Sequence, residues 1–151
     1  PGASLSGFSF ISLGLPSHQK FYSEGWIQLP TLSFEPDSVV DGNILESAKQ
    51  GNTIGPSSLP FQFVVSSFLD TLISYKHQAL ALGWIKDKGI ANSLDQKLDN
   101  ARNALMKNNK TSAKNILKAF VSEVEAQKDK HLSSEAYALL KFNAEYLISK
   151  L

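Results

Sequence analysis

Cysteine is absent from the 151 residues, and methionine occurs once. The first absence excludes a disulfide scaffold, a thiolate metal site and a cysteine nucleophile, and it leaves the redox compartment open. No apolar run approaches the roughly 18–20 residues a membrane-spanning helix needs. Charge of one sign is missing too. Fifteen basic and 14 acidic residues leave a net charge of +1, so no strong overall field points to nucleic acid or anionic lipid. There is no signal-peptide pattern, and the chain opens on Pro1, so it reads as a mature or excised piece of something longer.

The chain's composition is uneven. All six prolines and seven of the nine glycines fall in residues 1–65, which carry two lysines and five acids. Residues 66–151 have no proline, two glycines, 12 lysines, one arginine and nine acids. The change follows Gly55-Pro56-Ser57-Ser58-Leu59-Pro60, which cannot be helix or central strand. Two regions are therefore expected, 1–65 and 66–151. The first reads as β and loop, with a strand around Leu5–Leu13, a turn at Gly14-Leu15-Pro16-Ser17 and a second strand at Lys20–Ile27. The stretch onward to Gly51 reads mostly as linker, with one short helical turn near Ile44–Lys49.

Four apolar stripes with spacings of three and four follow. Phe68, Leu69, Leu72, Ile73, Ala79, Leu80 and Leu82 define the first, with Ser66 or Ser67 as its cap and Gly83 at its end. Ile90, Leu94, Leu98, Ala101 and Leu105 define the second, ended by Asn108-Asn109-Lys110. Thr111 is expected to cap the third, with Ile116, Leu117, Phe120, Val121 and Val124 inward, and Ser133 the fourth, with Leu139, Leu140, Ala144, Leu147 and Ile148 inward. Short loops make neighbouring helices antiparallel. The expected fold is α+β and mostly α: a short β-hairpin arm followed by an antiparallel four-helix bundle.

Particular residues in this half also carry a resemblance. Gly89–Leu98, Ala113–Gln127, Lys130–Ser133 and Ala136–Leu140 together resemble the FIMAH domain over about residues 67–151. The resemblance implies a helical module of about 80 to 90 residues at the C-terminus of large secreted or surface proteins of bacteria and archaea. It therefore implies an extracellular or cell-surface location, and it supplies no catalytic residues. One departure stands out: Asp129 occupies the place where the family usually carries glycine. The first half is similar to the tail of a preceding β-rich ectodomain.

No catalytic, cofactor-binding or metal-binding constellation is legible. His18, His77 and His131 lie in separate regions without ligand spacing. Asp95 and Asp99 are one turn apart, but Asp95 reads as solvent-facing and Asp99 as the partner of Arg102. The candidate interaction residues are the aromatics Phe21, Tyr22, Trp26 and Phe34, which could stack on a sugar or pack against the bundle or an upstream domain. Asn109-Lys110-Thr111 is an N-glycosylation sequon on an expected surface turn, with Asn109 the acceptor. Lysines interspersed with acids indicate a solvated surface and no nucleic-acid reader. The expectation is a non-catalytic interaction, attachment or assembly module. Its partner would be a protein, an upstream domain of the same chain, or a glycan. The alternatives are a carbohydrate- or matrix-binding module, or a subunit of a surface array or filament.

Overall fold

A computed structural model describes residues 14–23, 49–57 and 63–151. Strands β1 (Pro16–Ser23) and β2 (Lys49–Pro56) form an antiparallel pair, and helices α1 (Val65–Ala81), α2 (Lys88–Met106), α3 (Lys110–Gln127) and α4 (Ser134–Lys150) follow. The fold is a two-stranded hairpin followed by four packed helices.

Each helix start has its own chemistry. Asp87 accepts a hydrogen bond from the Ile90 N–H at 3.0 Å, Asn109 from Ser112 at 2.9 Å and Ser133 from Ala136 at 3.3 Å, satisfying amides with no intrahelical acceptor. Asn109 therefore caps α3 in place of Thr111, and α2 begins two residues before Ile90. Neither Ser66 nor Ser67 caps α1. Its N-cap is Val64, which makes no side-chain cap bond. The Phe63 and Phe68 rings meet across the start at 5.2 Å, and both lie 5.4 Å from the Tyr146 ring. This is a hydrophobic staple, which sets the entry of the chain by apolar contact.

The helix ends show why glycine and asparagine recur there. Gly83, at φ 72°, closes α1 with Gly83 N–H donating to Leu80 O and Trp84 N–H to Ala79 O. Asn108, at φ 55°, repeats the arrangement for α2, donating to Leu105 O while Asn109 donates to Ala104 O. After α3, Asp129 adopts φ 61°. The left-handed conformation expected of glycine is thus kept with a side chain in place, at a cost of roughly 1 kcal/mol.

Leu72, Leu94, Leu98, Leu117, Phe120, Val124, Leu140 and Leu147 are fully buried in one continuous core. Ala91, Ala101, Ala113, Ala136 and Ala144 are buried as well, and their small side chains let the helices approach closely. At one end of the bundle Ile85 pairs with Leu132, which ties the α1–α2 loop to the α3–α4 loop.

The hairpin differs from the sequence expectation. Pro16 and Ser17 open β1 where a turn was expected, and the partner strand comes from the expected linker, with Pro16 opposite Pro56 and Ser23 opposite Lys49. The two prolines occupy the strand ends, where a missing N–H is tolerated. The expected strand at 5–13, the residues of Lys20–Ile27 beyond Ser23 and the helical turn up to Ala48 lie outside the described residues. Phe21 stands opposite Gly51. A Cβ at position 51 would fall 2.3 Å from Phe21 Cε1, so glycine lets the ring lie across the neighbouring strand.

Candidate functional site

Two strands alone are marginal in water, and here they are seated on the bundle. Asn143 is the fastening point. Buried at 1% exposure, it lies in the α4 stripe among Leu139, Leu140, Ala144 and Leu147. Its Nδ2 donates to Pro16 O at 2.8 Å in β1 and to Leu139 O at 2.7 Å in its own helix. Both amide hydrogens are used. Ser17, beside it, is buried and donates to Gly55 O. His18 meets the Trp84 ring edge-on at 5.9 Å, and its Nε2 lies 2.9 Å from Asn52 Oδ1. Trp84 thus closes its end of the bundle and also supports the hairpin.

Beyond this seat β1 carries Phe21 and Tyr22, 45% and 48% exposed. As consecutive strand residues they point to opposite faces, so they do not form one flat stacking platform. Trp26 and Phe34 lie outside the described residues.

Ion pairs link neighbouring helices, and one of their members, Lys76, is fully buried. Lys76 is completely buried in the α1 stripe between Leu72 and Ala79, and its Nζ pairs with Asp95 Oδ2 on α2. His77 Nε2 lies 3.3 Å from the other Asp95 oxygen. Asp95 therefore faces a buried cation, and its reading as a solvent-facing acid is corrected. Arg102 pairs with Asp70 across helices and lies 4.0 Å from Asp99, so the Asp99 contact is the lesser one. Lys97 reaches Glu123 at 2.8 Å. Lys141 reaches Glu125 at 2.6 Å and donates to Tyr137 OH at 3.2 Å. The Glu125 contact, followed by the Tyr137 hydroxyl, raises the Lys141 pKa. The Ile90 N–H at the α2 cap lowers that of Asp87, and the Ser133 hydroxyl lowers that of Glu135. Burial raises that of Tyr75.

Among the described residues no group of three or more His, Cys, Asp or Glu side chains is placed to hold a metal, and no helix is long and apolar enough to cross a membrane. Asn109 is exposed on the α2–α3 turn, with Oδ1 engaged in the α3 cap. At this end of the bundle a cavity of ≈ 450 Å³ opens between the start of α1 and the end of α2, lined by Val64, Val65, Leu69, Leu105 and Met106 with Asp70, Arg102 and Lys110 at its polar edge.

Two of these residues carried a signal that periodicity alone passes over. Lys76 and Asn143 sit at the spacing of their apolar stripes, and a polar residue in such a register implies a buried partner. Which partner it finds depends on how the helices pack.

Fold and junction together define a small helical-bundle module with a β-hairpin seated against its last helix. The FIMAH domain profile matches residues 69–149, more than half of the chain. The chain belongs to the FIMAH domain family. No curated protein and no solved structure matches it.

Proposed function

We propose that this chain is a non-catalytic extracellular or cell-surface module that mediates interaction, attachment or assembly at the C-terminus of a larger protein. The observation that carries this reading is the Asn143 seat. It holds a hairpin with exposed Phe21 and Tyr22 in fixed orientation on a self-contained core, an arrangement suited to displaying a surface. The ion pairs between helices serve packing. Residues 1–65 then belong to the end of an upstream ectodomain and its linker, and 66–151 form the FIMAH bundle. The exposed Asn109 is the glycosylation acceptor where the host modifies sequons; its Nδ2 would carry the sugar while Oδ1 keeps the cap.

The test is binding of the fluorescently labelled 151-residue chain to intact cells of its source, with light scattering in parallel to detect self-assembly. Saturable binding, reduced in the Phe21→Ala/Tyr22→Ala chain, is the expected result. A chain that neither binds the cell surface nor self-associates would overturn the reading.

A further inference from the structure

We infer that the flank of the bundle around the α2–α3 turn is a docking surface for an acidic peptide segment with an aliphatic anchor residue. The inference rests on the reading of the chain as an interaction module and adds a second surface, separate from the one that carries Phe21 and Tyr22. Between Asp99 and Glu123 the sequence contains no acidic residue and five cations: Arg102, Lys107, Lys110, Lys114 and Lys118. Arg102 is committed to Asp70. The four lysines make no ion pair among the described residues, and neither do Lys20, Lys86, Lys88, Lys128, Lys130 and Lys150; this row is set apart by having no acid within its stretch of sequence.

Folding gains nothing from this row. Lys110, Lys114 and Lys118 follow at four-residue intervals on α3, where like charges repel across each turn. Lys110 opens the helix, and the first turn holds no acid, so the row begins at the end of the helix dipole that disfavours cations. A charge pattern that works against its own helix, without an internal partner, marks a site used for something other than stability.

The second observation is apolar and adjoins the first. Lys110 borders the cavity formed by Val64, Val65, Leu69, Leu105 and Met106. Val64 and Met106 are 53% and 79% exposed at its mouth. The lysines rise about 6 Å per four-residue step along α3. An extended peptide spaces alternate side chains by about 7 Å, so acids at every second position run in step with them while an aliphatic residue enters the cavity. A small amphipathic acid would engage Lys110 alone and leave Lys114 and Lys118 idle. A nucleic acid would favour arginine forks and stacking aromatics, and none of the four unpaired cations is an arginine.

The experiment uses the full chain and a fluorescein-labelled Leu-Leu-Glu-Ser-Glu-Ser-Glu peptide, followed by anisotropy. Binding should be saturable and weaken with added salt. Lys110→Glu/Lys114→Glu should weaken it at least about tenfold, and so should Met106→Glu. These positions are at the surface, and circular dichroism checks that the helices persist. Lys86→Glu/Lys88→Glu, at the opposite end, should leave affinity unchanged. Equal binding of peptides with alanine for leucine or serine for glutamate would overturn the inference. So would tighter binding of anionic vesicles or single-stranded DNA. Failure of the peptide to bind the unaltered chain would remove this surface as a docking site, while saturable binding of that same chain to cells would leave the module reading intact.

Discussion

The bundle and the hairpin are stabilised in different ways. The bundle buries stripes from four helices against one another in one continuous apolar cluster. The hairpin has one strand pair, two exposed aromatics, a buried polar seat on α4 and the His18–Trp84 contact. One region holds itself together by area, the other by attachment. Local context therefore suffices to specify a helix stripe, while the hairpin's register depends on what it rests against.

Six substitutions would break or sharpen this contrast. The largest effect is expected inside the bundle: Phe120→Ala, at a fully buried position, should cost about 3–5 kcal/mol in urea unfolding. A loss under about 1 kcal/mol would mean that the core does not depend on that ring.

Next comes the buried cation. Asp95→Ala strands Lys76 without its partner and should cost about 2 kcal/mol, less than a fully buried pair would because the Asp95 side chain is 33% exposed. Lys76→Met should cost far less, since it removes the charge that needs a partner. Equal losses from the two substitutions would show that the pair itself, and not the orphaned charge, sets the cost.

Asn143→Ala probes the attachment directly. Loss of the bond to Pro16 O should cost about 1–2 kcal/mol. It should also speed hydrogen exchange in β1 and β2 while the core amides of the four helices stay protected. Uniform acceleration across helices and strands would instead make hairpin and bundle one cooperative unit.

The smallest effects belong to helix ends. Asp129→Gly should stabilise by about 1 kcal/mol, because glycine adopts φ 61° without a side-chain clash. The acid limb of stability involves Asp87 and Glu135, whose pKa values are lowered from 3.8 and 4.5 by their hydrogen bonds at the α2 and α4 starts. A carboxylate with a lowered folded pKa stabilises above its unfolded value, and that contribution disappears as pH falls through the folded one. Unfolding titrations should show loss beginning near pH 4.5 and deepening below 3.8, with a shallower limb in Asp87→Asn. An unchanged limb would place the acid sensitivity elsewhere.

Helix legibility follows from repetition. Leu94, Leu98, Ala101 and Leu105 recur with one period, and Ser133, Gly83 and Asn108 mark ends by properties of the single residue. The start of α1 is less legible, because two serines offer a plausible cap while a ring contact between Phe63 and Phe68, packed on Tyr146 from the far end of the chain, fixes the entry instead. The hairpin is misregistered in the sequence because Gly14-Leu15-Pro16-Ser17 has turn composition, and nothing nearby signals a partner strand beginning only at Lys49. The lysine row is visible as an acid-free stretch. Charge averaged over the whole second half conceals it.

From sequence alone come the helix count, the buried faces, most helix ends and the family resemblance, since each depends on residues within a turn or two of one another. Tertiary structure alone decides that β2 is the strand β1 chooses, that Lys76 meets Asp95, that Asn143 reaches Pro16 and that Lys110 borders an apolar cavity. The Lys76–Asp95 and Asn143–Pro16 pairings join residues 19 and 127 positions apart. A short-range pattern can show that a strand or a buried polar group needs a partner, but only packing in three dimensions selects which one it gets.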